Sequence, residues 1–248
     1  MIDENEPMTA LVAKEWAGFL NSPGVSVADK LDFIERISTE AQEQSGYVFD
    51  QIGEKNAPTF GFAARTMRAG NRDAARLTLM GKGADVVVPS GYAGKIKTYI
   101  GNALAGRKGE TAFNAINQGV IDYSKGTALE GEPVSADDKD VGEYFGSSIG
   151  YIKDYNGQKT ILPQGVSEDD FDTWLDDIQI EGNETLQGWL RAMPDTFKAP
   201  IWAGGPKELQ LIYVDDGKYR IRDKNNGKPL TLEGEDGKPY ILEYPKVK

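Results

Sequence analysis

Apolar positions recur every three or four residues along most of the first 150 positions, and alternate in twos near the C-terminal end. Those two periods separate helix from half-buried strand. Leu11, Val12, Trp16, Phe19 and Leu20 fall on one side of a helix capped by Thr9 and ended by Asn21-Ser22-Pro23-Gly24. Residues 1–8 precede it as a frayed arm. Ser26 and Asp29 form a second cap pair. Val27, Leu31, Ile34, Ala41, Val48 and Ile52 then hold a helical register that predicts one long helix to about Gly53. Asn56-Ala57-Pro58 breaks it. Residues 60–69 and 71–80 read as an antiparallel helix pair, with Gly70 as the C′ residue of the first and Asn71 as the cap of the second. The pair resembles one unit of a helical-repeat protein, but no copies recur at a fixed period, so no solenoid is predicted. Val86-Val87-Val88-Pro89 reads as a short strand or an extended link. Helices are predicted over 91–104, on Tyr92, Ile96, Tyr99, Ile100 and Leu104, and over 111–123, on Phe113, Ile116, Val120 and Ile121. Residues 127–140 lack periodicity and read as a surface loop, and 141–152 as a further helix.

The pattern changes at residues 144–178. Asn156-Gly157 lies between β-branched and apolar runs, the strongest short hairpin signal, because a type I′ turn needs positive φ at both central residues. Pro163 stops the second strand by removing a ladder donor. Ser167 followed by Asp170 is a helix start, with Glu168, Asp169 and Asp170 complementing the positive end of the helix dipole. Phe171, Trp174, Leu175 and Ile178 give that short helix one apolar face, by which Phe171 and Trp174 dock it. A helix through Leu186, Trp189, Leu190 and Met193 follows, then a Pro/Gly-rich crossing segment carrying Phe197, Ile201 and Trp202. These aromatics read as cover for a core edge or as a ligand platform. In the tail, turn signals at Asp216-Gly217, Asn226-Gly227 and Asp236-Gly237 are spaced by ten. Leu209, Leu211 and Tyr213 alternate with Gln210 and Ile212, and Tyr219 and Ile221 with Arg220 and Arg222, as in a half-buried antiparallel meander.

The predicted class is α+β, predominantly α: a helical body followed by a small antiparallel hairpin and meander. Three segments are expected: 1–145 as helical body, 146–205 as hairpin, short helices and crossing segment, and 206–248 as β-meander.

Three separated stretches also resemble a family. Residues 146–175, running through Gly150-Tyr151-Ile152, Asn156-Gly157-Gln158-Lys159 and Pro163 into the acidic helix, are similar to a segment near the C-terminus of large lytic-transglycosylase-like virion proteins of bacteriophages. Residues 63–76, with Met67, Gly70-Asn71 and Ala74-Ala75, resemble a helix pair of those proteins. Gly217-Lys218-Tyr219-Arg220-Ile221-Arg222-Asp223 with Gly227-Lys228-Pro229-Leu230 resembles their ending. The matches occur in the same order and span roughly 60–242. The transglycosylase domain of those proteins has no counterpart here. The resemblance implies an internal or tail-associated virion protein, ejected with the genome, that acts in assembly and genome delivery rather than catalysis. It implies other virion or tail proteins as partners, a homo-oligomer, and residence in the virion after synthesis in the host cytoplasm.

Composition narrows the chemistry. The 248 residues contain no cysteine and no histidine. That excludes disulfides, thiolate nucleophiles, Ser-His-Asp triads and nearly all zinc sites. No apolar run approaches the ~20 residues of a membrane span, and the acidic N-terminus lacks the basic and apolar regions of a signal peptide. The formal charge is −11, which disfavours nucleic acid and anionic lipid. Residues 60–108 run the other way, with nine basic residues against Asp73 and Asp85. A solvated basic face balanced by nearby acids, packing against another subunit, and contact with DNA are the three readings of that segment. Its arginines Arg65, Arg68, Arg72 and Arg76, with Phe171, Trp174 and Trp202, are the candidate interaction surface.

No catalytic, cofactor or metal site is expected. Asp137, Asp138 and Asp140 sit in a predicted loop, and Glu168, Asp169, Asp170, Asp172, Asp176 and Asp177 decorate the outside of a short helix. Both groups read as solvated acids rather than the paired carboxylates of a glycosidase. Glu43-Gln44-Ser45 has an extra residue relative to the Glu-Ser element of soluble lytic transglycosylases. The stretch from Asp223 to Glu233 places the glycine and glutamate of a calcium loop one residue early. Gly106-Arg107-Lys108-Gly109 lacks P-loop spacing. The competing functions are a carboxylate-dependent peptidoglycan hydrolase and a peptidoglycan-binding module using Trp189, Trp202 and Tyr213.

Overall fold

The computed structural model describes residues 10–41, 45, 48, 49, 52, 53, 57–104, 109–135, 137–180, 184, 185, 188, 210–215, 217–222 and 240–245. Among these the chain is mainly helical, with eight helices and small antiparallel sheets toward the C-terminal end, an α+β fold that is mainly α. The helices are α1 (Ala10–Asn21), α2 (Val27–Ala41), α3 (Pro58–Arg68), α4 (Arg72–Gly81), α5 (Tyr92–Ile100), α6 (Gly109–Leu129), α7 (Asp138–Ser148) and α8 (Glu168–Asp177). The strands are β1 (Ile152–Tyr155), β2 (Gln158–Ile161), β3 (Gln179–Ile180), β4 (Glu184–Thr185), β5 (Gln210–Asp215), β6 (Lys218–Arg222) and β7 (Ile241–Glu243). The chain divides into two compact units, Met1–Tyr99 with Lys108–Ile149, and Ile100–Arg107 with Gly150–Lys248.

In the first unit the predicted caps are in place. Ser26 accepts from the Asp29 backbone N–H at 3.1 Å, while the Ser26 N–H donates to the Asp29 carboxylate at 3.3 Å, so two helix-start donors are satisfied reciprocally. Asn71 caps α4 by accepting from Ala74 N at 2.8 Å, and Gly70, with φ +94°, makes the turn out of α3. The apolar stripes of α2, α3 and α4 meet in one core of Leu20, Leu31, Ile34, Ile37, Phe49, Ile52, Phe60, Ala63, Ala64 and Leu79.

The structure corrects several boundaries. α2 ends at Ala41; Ser45, Val48, Phe49, Ile52 and Gly53 are helical again, and the other residues between them lie outside the described set. Residues 84–89 are an extended link, with Val87 88% exposed, not a strand. α5 stops at Ile100 because Gly101 takes φ +53°. α6 continues to Leu129, six residues past its expected end, and α7 starts at Asp138 inside the expected loop. α7 ends at Ser148, where Gly150 turns the chain with φ +138° into β1.

The extension of α6 follows from close packing. A Cβ at Gly126 would overlap the Leu77 carbonyl oxygen, and one at Gly81 would overlap the Asp122 carbonyl oxygen. α4 and α6 therefore approach backbone to backbone, with Gly126 as a contact surface rather than a breaker. Two turns earlier on α6, Gly119 receives the ring of Phe62.

In the second unit, β1 and β2 form the expected hairpin. Asn156 has φ 57° and Gly157 φ 81°, as a type I′ turn requires. Asn102 holds it from the side: its Nδ2 donates to Gly157 O at 2.8 Å and its Oδ1 accepts from Lys159 N at 2.7 Å. β5, β6 and β7 form an antiparallel sheet in that order, with Gly217 (φ +67°) in the turn between β5 and β6. Alternation holds in β6, where Tyr219 and Ile221 are buried and Lys218 is exposed. It fails in β5, where Gln210 and Ile212 are buried along with Leu211 and Tyr213. The short antiparallel pair β3–β4 falls where no strand was expected. The 1–8 arm, the Thr9 cap, the helix built on Leu186 to Met193 apart from Gly188, which is helical, the crossing segment with Phe197, Ile201 and Trp202, and the turns at Asn226-Gly227 and Asp236-Gly237 lie outside the described residues.

Two glycine-to-alanine changes of opposite sign test the α4–α6 contact. Gly126→Ala is expected to destabilise the protein by at least about 3 kcal/mol, because backbone must move to admit the methyl group. Gly94→Ala in α5, where a Cβ meets nothing within 4 Å, should instead stabilise by roughly 0.5–1 kcal/mol. Chemical denaturation of both variants checks this, and equal effects would refute the backbone contact.

Candidate functional site

The anticipated interaction residues divide by environment. Arg65 and Arg68 lie half-buried on α3, each with an interaction of its own. Arg72, at the start of α4, donates to Glu35 at 2.6 Å and lies 3.4 Å from Asp32, both on α2. Arg76 donates to Asp73 and, at 2.7 Å, to Glu130 just past the end of α6. The hydrogen bond to Glu130 is the largest cause holding the Arg76 guanidinium above its ordinary range, followed by that to Asp73. Arg72 and Arg76 thus meet acids drawn from other parts of the same unit. Each pair is exposed to solvent, so these bridges orient helices more than they stabilise them.

Phe171 and Trp174 do come together on α8, but with different exposure. Phe171 is 0% exposed. Its ring lies 5.2 Å from Tyr219, 5.9 Å from Tyr244, 6.0 Å from Tyr155 and 5.1 Å from Trp174. It is the hub of the unit's aromatic core and offers no surface to a partner. Trp174 is half-buried, 5.0 Å from Tyr244. Trp202 lies outside the described residues.

The acids of α8 are not all alike. Ser167 caps the helix by accepting from Asp170 N at 3.1 Å, and Glu168, Asp169 and Asp170 are exposed around its first turn. Asp172 faces β1 instead, accepting from Tyr155 Oη at 2.9 Å and from Lys153 Nζ at 2.9 Å. Burial of the phenol, then its hydrogen bond to this carboxylate, drives the Tyr155 hydroxyl well above its ordinary range. For Lys153, desolvation works against the charge, but Asp172 and then Glu168 outweigh it and keep the ammonium above its usual value. Asp172 is thus not one of the outward-facing acids; beside Phe171, it is turned toward the hairpin.

Sequence reasoning missed a second polar centre. Asp122 on α6 is 2% exposed. Its Oδ2 accepts from Thr59 Oγ1 at 2.5 Å and its Oδ1 from Gln118 Nε2 at 2.9 Å. Burial pushes this carboxyl above its ordinary value; the two hydrogen bonds, then Lys125 and Lys82, work in the opposite direction. Lys82 in turn donates to Asn21, and burial, then Lys30, lower its ammonium. Lys30 is itself buried. The residues that meet here come from α1, α2, α3, α6 and the turn after α4. A signal was available: Asp122 shares a helix face with Gly119 and Gly126, three residues before and four after, and glycines at that spacing mark close approach of a neighbouring helix.

The chemistry open to this arrangement is limited. Among the described residues Asp122 is the one fully enclosed carboxylate, and the hydrogen bonds it accepts come from a hydroxyl and an amide, not from a second acid. A glycosidase pair needs two carboxyls across a cleft. Among the described residues no group of three or more acids converges to hold a metal ion, and no helix is long and apolar enough to cross a membrane.

Asp122 predicts a pH signature. A carboxyl raised in the folded state binds more protons there than in the unfolded chain. Its contribution is therefore fully present below its ordinary pKa of 3.8 and is lost as pH rises from there through the folded-state value. Comparing thermal melts of wild type and Asp122→Asn across pH 4–7 removes the contribution of other carboxylates. The melting temperature of the Asn variant minus that of wild type is expected to increase with pH, and a flat or falling difference would contradict the assignment. Thr59→Val, which takes a donor from the enclosed carboxyl, should cost about 1–3 kcal/mol.

No protein family, no curated protein and no solved structure matches the chain.

Proposed function

We propose that this chain is a non-catalytic structural component of a bacteriophage virion, an internal or tail-associated protein that acts in assembly and genome delivery. What supports the reading is the use made of the residues that carry the resemblance. Gly70 and Asn71 turn α3 into α4 and cap it, Asn156 and Gly157 close the hairpin, Ser167 starts α8, and Gly217 joins β5 to β6. These are turn and cap positions, the features that hold a shape rather than perform a reaction. The enclosed acid Asp122 and the turned-in acid Asp172 are both engaged in packing between elements of their own units. Partners of this protein are then other virion or tail proteins and further copies of itself.

A tagged copy supplied to a host during infection is expected to sediment with purified phage particles. The same purified protein should leave peptidoglycan intact in a zymogram. Clearing of the gel that a single Asp or Glu substitution removes would establish a hydrolase instead. Retention on purified cell-wall sacculi, without particle association, would establish a wall-binding module.

A further inference from the structure

The residues of β6 divide between the two faces of its sheet, because alternate residues of a strand share one side. Tyr219 and Ile221 are buried, Tyr219 against Phe171. Lys218, Arg220 and Arg222 lie on the other face. Lys218 meets Glu243 of β7 at 3.1 Å. Arg220 and Arg222 are half-buried, and neither makes an ion pair with a described residue. The chain has 39 acidic residues against 28 basic ones, so this is no shortage of acids. Those of the same sheet and of the β1–β2 hairpin are Glu243, Asp215, which stands opposite Lys218 in the register, and Asp154, which accepts from Gly157 N at 2.7 Å. Asp223, next after Arg222, lies outside the described residues.

Arg222 is set in place by neutral groups. Its Nε and Nη2 donate to Gln210 Oε1 at 3.1 and 2.9 Å, and Nη2 also donates to Gln158 Oε1 at 3.2 Å. Each glutamine is oriented from behind. Gln210 Nε2 donates to Asn156 O at 2.9 Å, and Gln158 Nε2 to Asn102 O and Lys159 O, both at 2.8 Å. With their amide nitrogens so committed, these two buried side chains turn oxygen toward the guanidinium. They fix its plane but leave its charge uncancelled, and its Nη1 meets no acceptor among the described residues. Arg220 stands between Ile212 and Ile241 in the ladder, and its Nε is buried without an acceptor. A half-buried guanidinium with an unmet donor and no acid costs stability, which a bound anion would recover.

We infer that Arg220 and Arg222 form an anion site on this face of the β5–β6–β7 sheet, and that it takes a phosphate dianion, free or as a terminal monoester. Successive same-face residues of a strand are ~6.6 Å apart, so the two guanidiniums can close on one tetrahedral group from two sides. Guanidinium forks match phosphate oxygens in pairs. A dianion cancels both charges, whereas a carboxylate cancels one. Ile241, half-buried beside Arg220 in the ladder, offers an apolar contact to the organic part of a monoester. The site goes beyond the virion reading and does not depend on it.

Isothermal titration calorimetry of the full chain with inorganic phosphate and with phenyl phosphate tests the site, at about pH 8, where both probes are mostly dianions. Saturable binding at a single site is expected. Tighter binding of phenyl phosphate assigns the site to a monoester, and tighter binding of inorganic phosphate to the free ion. Arg220→Met should weaken binding about tenfold. Because it removes an unpaired cation, it should keep or raise the melting temperature in phosphate-free buffer. Arg222→Lys should weaken binding about fivefold, since an ammonium cannot hold both glutamines and still offer a fork. Lys139→Ala, which removes an exposed charge on α7, should leave binding unchanged. No saturable binding of either probe overturns the inference, as does an Arg220→Met variant that binds normally. Equal affinity for acetate would mark a general cationic surface and overturn it too. So would an Arg220→Met variant that loses melting temperature along with binding, which would make this arginine a packing residue. An unphosphorylated oligonucleotide that binds where both probes fail would give the face to diesters, again overturning it. A protein that sediments with phage particles yet ignores phosphate would lose this site and keep the virion reading.

Discussion

The first unit depends on the backbone contact between α4 and α6. Gly81 and Gly126 allow main-chain atoms of the two helices to touch, and Gly119 leaves a socket that Phe62 fills. Packing at that distance leaves no room for water, which explains why Asp122 is enclosed although its side chain could ionise. The residues that serve it, Thr59 at the start of α3 and Gln118 one turn earlier on α6, are the local donors that make such enclosure tolerable. An unpartnered acid at this position would be far more costly than an apolar residue. The close contact therefore comes first, and the polar centre is a consequence of it.

The second unit is organised differently, around a turn and a ring. The Asn156-Gly157 turn is gripped on several sides. Asn102 supplies two hydrogen bonds, and Gln210 of β5 donates to Asn156 O at 2.9 Å. Arg222 bridges Gln210 at 2.9 Å and Gln158 at 3.2 Å, tying β6 to the hairpin. Tyr219 donates its hydroxyl to Ile161 O at 2.8 Å while its ring packs on Phe171. Two- and three-stranded pieces of this size are marginal alone. Here side chains reaching backbone groups join them into one core.

This contrast explains what the sequence made legible. Caps and turns are local: Ser26, Asn71, Asn156, Gly157 and Ser167 act on residues two to four positions away, so their roles can be read without knowing what lies across the fold. Gly126 could not be read that way. A glycine inside an apolar helix is both a breaker by propensity and a contact by packing, and only the position of Leu77 decides between them. Ile212 was assigned to a solvated face because alternation assumes one open side, and β5 has none. Asp122 and Asp172 were invisible for a related reason. A carboxylate is assumed to face water unless a donor is known, and their donors lie 63 and 17 residues away in sequence.

The enclosed Asp122 and the half-buried Asp172 also show why charge in this chain is a poor guide to partners. Asp172 remains among cations and a phenol, as a hydrogen-bond acceptor that fastens α8 to β1. Asp122 is enclosed where burial raises its carboxyl above the ordinary range, with donors on both oxygens. The basic stretch behaves in the same inward manner, for Arg72 and Arg76 find acids on α2, on α4 and beyond α6. Arg72 and Arg76 are therefore not free cations of a basic face over residues 60–108: each closes a salt bridge to an acid distant in sequence.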